Sequence, residues 1–455
     1  TPPDSVLEIA RTLEEAGFEA WCVGGAVRDA LLGHPHLDWD LATSATPAQV
    51  RELFGRRRTI PVGIEFGTVG VLDRGGVLHE VTTFRRDVRT DGRHAEVEFG
   101  ASLDEDLARR DFTINAIAYS PRSRELRDPF DGRADLRAGI VRAVGDPDAR
   151  MREDRLRALR AIRFATRFGF AIERETLRAI ARSAPHLGRL SPERVKQELE
   201  KTMDQAARPA AALALWQRTG ALATLVPALA LLDDRAIATL DCLAMPGPAG
   251  RPQRRAIRLA ALFLDLTAED ARRALVALRF SRHDSNWIVG MVTRWHRVAA
   301  RMADRLMQPA SVPDVDVRQW TAAIGRLDVG AFMRLALARW QARGRAGEQV
   351  PAATRVREIY RRMLHSAFGD PRAHRAPDPL ELRDLHVDGD VLRANGMPPG
   401  PWTGKILQAL QQAVLVDPGR NTPDWLLQEA RRMYAELRAA DGGGREGGTA
   451  TSASE

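Results

Sequence analysis

The chain has almost no cysteine and almost no lysine. Cys22 and Cys242 are the only thiols in 455 residues, which excludes a disulfide framework and any zinc site built on several cysteines. That usage fits a reducing, cytoplasmic setting. No apolar run approaches the roughly 20 residues a membrane helix needs, so no membrane association is expected. The opening TPPDSVLEIA carries neither a basic nor an apolar stretch, and no secretory signal is expected from it. Of 68 basic residues only Lys196, Lys201 and Lys405 are lysine. So one-sided a use of arginine looks like genome composition. It weakens the meaning of any single arginine, although the planar guanidinium suits phosphates and base edges.

What is present is an ordinary globular composition, 44% hydrophobic and 28% charged, with a net charge of +8 and a pI of about 10.3. The length allows two to four domains, and the basic balance favours a polyanionic partner. Residues 1–145 mix helices and strands. A helix is predicted over Ser5–Ala16, stopped by Gly17, and strands over 19–25, 37–43, 68–73 and 78–84, rich in β-branched residues. From about residue 146 helical spacing of Leu, Ile, Ala and Phe dominates to about 438, broken at 245–252, 307–315 and 375–382. The last break opens what reads as a separate helical unit. Residues 441–455 lack large apolar side chains and are expected to be disordered. The expectation is therefore an α+β chain, a small mixed head followed by a long all-α remainder.

Five stretches carry chemistry. In VGGAVRD, Gly24-Gly25 between strand and helix lets backbone approach a phosphate closely, with Arg28 one turn on. A plain turn would look the same. In LDWDLAT, Asp38 and Asp40 point to one face of a strand. Two neighbouring carboxylates need a positive charge between them, and Mg²⁺, arginines or open solvent would each serve. Glu80 in HEVTTF is a third carboxylate if its strand lies alongside. In EDLARRDFTINAIAY, Arg109, Arg110 and Asp111 precede what reads as an apolar helix. The arginines suit a triphosphate or an RNA end, or simply flank a capped helix. In REDRLRALRAIRF, Asp154, Arg157, Arg160 and Arg163 form a drifting stripe opposite Leu156, Leu159, Ile162 and Phe164. A carboxylate beside a guanidinium matches the base edges of cytosine and adenine and opposes those of uracil and guanine. A local Asp154–Arg157 ion pair is the plainer alternative. Residues 82–100, with a turn signal at Asp91-Gly92, read as a mobile loop or as an ordinary hairpin.

In order and spacing, GGAVRD (24–29), DWDLAT (38–43), HEVTTFR (79–85), RRDFTINAIAY (109–119) and EDRLRALRAIRF (153–164) resemble the tRNA nucleotidyltransferase/poly(A) polymerase family in its bacterial class II form. Residues 382–415 also look like the tail of its CCA-adding branch. The resemblance implies a polymerase-β-like nucleotidyltransferase head (1–145). It implies a neck that selects the base (146–205), a helical body (206–315) and a tRNA-binding helical tail (316–440). It further implies Mg²⁺ on Asp38 and Asp40, with Glu80 as a third catalytic carboxylate. Gly24, Gly25, Arg28, Arg109, Arg110 and Asp111 would bind the nucleotide, Arg110 being favoured over Arg109. Glu153 would join them in binding the nucleotide, Asp154 and Arg157 would read its base, and Arg160 and Arg163 would support triphosphate and template. The implied activity is addition of C, C and A to the 3′ end of tRNA from CTP and ATP, with the acceptor arm as partner and no obligate protein partner.

Within the family, the tail stretch argues against a poly(A) polymerase, and RTDGRHAEVEF argues against a CC-adding enzyme. An enzyme adding only the final A would look very similar. Outside it, an RNA-binding protein with a decayed head is opposed by the intact Asp38, Asp40, Asp154 and Arg157. His283-Asp284 has no partner histidines at metal-ligand spacing and reads as a helix start.

Overall fold

The computed structural model describes residues 2–34, 39–90, 95–244 and 252–442. Asp38, the Asp91-Gly92 turn, most of the 245–252 break and residues 443–455 lie outside them. The chain divides into two compact units. One runs to Leu262 and includes Asp270–Ser285, and the other comprises Phe263–Glu269 and the chain from Asn286 onward.

The first unit opens with α1 (Asp4–Glu15), whose stripe of Val6, Ile9, Ala10 and Leu13 is buried; each of the larger three contributes about 1.5–3 kcal/mol. There follow β1 (Ala20–Val23), α2 (Gly25–Leu31), β2 (Asp40–Thr43), α3 (Pro47–Phe54), β3 (Thr59–Gly63), β4 (Thr68–Leu72) and β5 (Leu78–Thr83). Next come β6 (Arg85–Thr90), β7 (Ala95–Phe99), α4 (Leu103–Ala108), β8 (Ala118–Tyr119), β9 (Leu126–Arg127), α5 (Gly132–Ala138) and β10 (Ile140–Val141). Seven strands form one sheet in the order β3-β4-β5-β2-β1-β8-β9. All neighbours are antiparallel except β2 and β5. Because side chains alternate across a sheet, Cys22, Leu41, Val69, Val71 and Val81 are buried on one face, the side of α1 and α3. Val23, Ala42 and Ala118 on the other face pack with Phe84 and with Leu103 and Leu107 of α4.

Two expectations change here. The apolar run after Asp111 is not a helix: a short 3₁₀ turn at Thr113–Asn115 leads into β8, whose Ala118 and Tyr119 pair with Val23 and Cys22. A short apolar run buried on all sides has no periodicity to separate helix from strand. Residues 85–99 take the hairpin alternative, with Arg85 opposite Phe99 and Thr90 opposite Ala95.

The helical continuation begins with α6 (Pro147–Glu153) and α7 (Leu156–Phe168). After β11 (Ala171–Ile172), parallel to β10, come α8 (Arg174–Ser183), α9 (Pro192–Gln205) and α10 (Pro209–Arg218). Leu156, Leu159, Ile162 and Phe164 of α7 are buried as their spacing requires, and Gly169 ends the helix at φ +72°. The helix expected through 152–170 is interrupted at Asp154, which is extended (φ −144°, ψ 106°).

The helix Arg282–Met307 starts in the first unit at His283-Asp284 as expected, the Asp284 amide donating to Ser281 Oγ (3.0 Å). The second unit is helical. The helices Gly389–Ala394, Pro401–Val416 and Pro423–Gly442 share a core that includes Leu392, Ile406, Leu410, Val414, Leu426 and Ala430. Arg318 donates to the last carbonyls of the middle one, Leu415 (2.7 Å) and Val416 (2.8 Å), which have no partner within their own helix. Among the described residues no helix is long and apolar enough to cross a membrane.

Candidate active site

The site forms where β1 ends and β2 begins. Gly24 leaves β1 at φ +76°, a conformation that costs any residue with a Cβ. The space argues the same way. A Cβ there would sit 3.2 Å from an Arg110 guanidinium nitrogen and 3.9 Å from Asp40 Oδ2. One glycine therefore lets a cation and a carboxylate close on the same backbone point.

Sheet register brings in the other carboxylate. Leu41, Ala42 and Thr43 stand beside Val81, Thr82 and Thr83 in parallel, so Asp40 and Glu80 occupy the preceding rung on the face of Ala42 and Thr82. Trp39 is buried and Glu80 exposed. Arg109 and Arg110 both donate to the buried carboxylate of Asp106, at 3.1 and 3.2 Å. Asp106 thereby aims the pair from the end of α4, itself started by a Ser102–Glu105 capping box.

The base-reading candidates are each held by something other than their partner. Asp154 accepts the Leu156 amide on Oδ1 (3.0 Å) and Arg194 of α9 on Oδ2 (2.8 Å). Arg157 donates to Glu153 (2.6 Å) and to the carbonyls of Arg150 (3.2 Å) and Arg109 (3.0 Å). Arg150 in turn donates to Glu153 (2.5 Å) and to the Ala108 carbonyl (3.2 Å). Two neck arginines thus satisfy carbonyls at the C-terminal end of α4, tying α6 and α7 to the segment that carries Arg110. The local Asp154–Arg157 ion pair does not form.

Arg28 and Arg163 are not on the open side of this site. Arg28 is 3% exposed; its guanidinium is taken up by Asp29 (2.8 Å) and Asn115 (2.5 Å) and lies over Phe164 and Phe168. Arg163 is 4% exposed and donates to Glu198 (2.7 Å) and Gln205 (3.2 Å) of α9. Both lie where the apolar side of α7 is covered, so each is paired as a buried charge must be. The second Asp29 oxygen takes Arg167 (3.1 Å), joining α2 to α7. Asp111 also serves as an internal joint. It accepts from Phe112 N, Asn115 and Arg160, all at 2.9 Å. Burial pushes its carboxyl up, but the Arg160 charge and these bonds hold it down at about 2.

Arg150, Arg194, Asp106 and Asp29 were not among the residues that the sequence singled out. Asp106 alone had a local signal, standing three and four residues before the arginines it orients. Arg194 lies 40 residues from Asp154, a separation without periodicity. Among the described residues no group of three His, Cys, Asp or Glu is placed to hold a metal ion, and Asp38 lies outside them. Asp40 and Glu80 on one rung are hard oxygen donors, the chemistry that fits Mg²⁺. A cavity of about 680 Å³ lined by Trp21, Asp104 and Arg127 contains none of the candidate residues.

Two family profiles match the chain: the Poly A polymerase head domain over residues 20–142, and the probable RNA and SrmB-binding site of polymerase A over 169–232. The CCA-adding enzyme of Lactiplantibacillus plantarum is 36% identical over 441 residues, covering 93% of this chain and 95% of that protein. That of Geobacillus stearothermophilus is 34% identical, covering 96% of each. The crystal structure of the Bacillus stearothermophilus CCA-adding enzyme in complex with CTP superposes at a TM-score of 0.68 with 31% identity, covering 97% of this chain and 98% of that one. The Thermotoga maritima CCA-adding enzyme complexed with tRNA shares the fold at a TM-score of 0.64 and 21% identity. With identity above 30% running over more than nine-tenths of the chain, the chain belongs to the CCA-adding enzymes, a branch of the tRNA nucleotidyltransferases.

Proposed function

We propose that this protein adds C, C and then A to the 3′ end of tRNA from CTP and ATP, releasing pyrophosphate. The observation that carries the reading is the Arg157-to-Arg109 carbonyl bond. It ties Arg157, two residues into the helix that follows Asp154, to the segment whose Arg110 stands with Asp40 beside Gly24.

The residues divide the work. Gly24 and Gly25 let the triphosphate approach the backbone, and Arg110, with Arg109 beside it, neutralises phosphate charge. Asp38, Asp40 and Glu80 would hold Mg²⁺, which when bound supplies acidification of the attacking 3′-hydroxyl and neutralisation of the leaving pyrophosphate. Asp154 has its two oxygens oriented by Leu156 N–H and Arg194. It takes a hydrogen bond from the exocyclic amine of cytosine or adenine and opposes the carbonyl of uracil or guanine. Arg157 donates to the neighbouring ring nitrogen or carbonyl oxygen. Arg28, Arg160 and Arg163 act from behind, keeping α7 seated on the head. The basic helical remainder grips the acceptor arm mainly through phosphates and duplex shape.

The test is incubation with tRNA ending before CCA, Mg²⁺ and each labelled nucleotide in turn. Incorporation of C and then A is expected. A alone, C alone or long A tracts would select a sibling enzyme, and no incorporation an RNA-binding protein. Asp40→Ala is expected to abolish every incorporation while RNA binding persists; retained turnover would remove Asp40 from the reaction.

A further inference from the structure

The face of the sheet that carries Asp40 and Glu80 is covered by α4 over β2, β1 and β8, but it is open over β3, β4 and β5. Ile60 pairs with Gly70, and Gly70 with Glu80, so the three share one row. A Cβ on Gly70 would fall 2.7 Å from a Leu78 methyl and 2.9 Å from a Val62 methyl. Those two side chains therefore lean together over the missing side chain, next to Glu80. Ile60, Val62 and Leu78 are 42%, 44% and 38% exposed. On the opposite face of the same strands Thr59, Val69, Val71, His79 and Val81 are buried, and only Pro61 of the edge strand is exposed. An aliphatic patch left open beside a reactive carboxylate is a candidate interaction surface.

We propose that this ledge of Ile60, Val62 and Leu78 around Gly70 seats the unpaired 3′-terminal nucleotides of the RNA acceptor. The proposal rests on the nucleotidyl-transfer reading, because the attacking hydroxyl must end its chain beside Asp40 and Glu80, and the ledge continues directly from Glu80. Single-stranded RNA ends are held by contact with base faces, strongest on aromatic side chains, together with cations on the backbone, and such contact tolerates a changing terminal base. Aliphatic side chains offer the same contact in a weaker, non-stacking form. The same ledge would thus serve an end that grows by one nucleotide per cycle. Charge agrees. Arg56 and Arg57, just upstream of Ile60, are exposed, and among the described residues neither is in an ion pair.

The experiment uses the full chain, tRNA ending before CCA, and the variant Val62→Ser/Leu78→Ser, with Leu231→Ser, 96% exposed in the helical part of the first unit, as control. The ledge variant is expected to raise KM for the RNA about tenfold, the scale of one lost base contact, while KM for CTP moves less than twofold. A photoreactive base at the 3′ terminus is expected to crosslink to residues 60–78 in the wild type and not in the ledge variant. The control should change neither. An active ledge variant with unmoved RNA KM overturns the proposal. So does a wild-type dimer that the ledge variant turns monomeric without a change in RNA KM, which would make the face a contact between copies. If the wild type incorporates no nucleotide, nucleotidyl transfer itself fails. The crosslink, which needs no turnover, still decides the ledge.

Discussion

Replacing Asp111 by asparagine keeps the shape and the acceptor for Phe112 N–H but removes the charge that pairs with Arg160. Asp111 is 9% exposed and Arg160, one-third exposed, approaches within 2.7 Å, so solvent screens the carboxylate end of the pair little. A carboxyl brought from 3.8 to about 2 contributes about 2 kcal/mol of stability at neutral pH, at about 1.4 kcal/mol per pH unit. That contribution is present above the unfolded value near 4. It is lost as pH falls towards 2, where the folded protein finally takes up the proton. The side-chain amide of the variant would not titrate. The stability difference between wild type and Asp111→Asn is therefore expected to be about 2 kcal/mol at pH 7 and 5, and to shrink steadily below pH 4. Urea unfolding followed by hydrogen exchange on peptides spanning 105–119 and 156–168 reads the unit that carries the pair separately from residues 286–442. A difference under about 0.5 kcal/mol at pH 7, or one that does not change between pH 5 and 3, would refute the Asp111–Arg160 joint as a stabilising contact.

Gly24→Ala places a Cβ at φ +76° and 3.2 Å from Arg110; it should cost about 1–2 kcal/mol in backbone strain and lower CTP incorporation at least tenfold, measured by initial rates beside a thermal melt. Arg194→Met frees one oxygen of Asp154. Because both side chains are about one-third exposed, the loss should be only about 1 kcal/mol, a severalfold fall in discrimination between CTP and UTP that Arg194→Lys largely restores. The Cys22 thiol, pushed up to about 12 by burial and then by Glu14, should resist a disulfide reagent at pH 8 until the protein unfolds, while half-buried Cys242 reacts in the native state.

Local chemistry was legible in the amino-acid order. The glycine pair after a β-branched run, the stripe on α7 and the helix start at His283-Asp284 each follow from interactions within a few residues. Register was not. Nothing near Asp40 in sequence says that its strand runs parallel to β5 and brings Glu80 onto the same rung, since the intervening hairpin of β3 and β4 decides it. The run after Asp111 misled because burial on every side erases the alternation that separates strand from helix.

The same boundary runs through the site. Sequence alone determined which residue types could do nucleotidyl chemistry, and that a glycine pair stands between a strand and a helix among them, because hydrogen-bonding capacity and side-chain spacing are properties of short segments. The positive φ that Gly24 takes there came from the structure. Only the tertiary structure decided how deeply each arginine is placed and what it pairs with. Arg28 and Arg163 look no different from Arg110 and Arg157 when written out, yet packing buries the first two against Asp29 and Glu198. A charge removed from water must take a partner wherever the fold places one, and those partners lie one and 35 residues away, the second at a distance that no local pattern encodes.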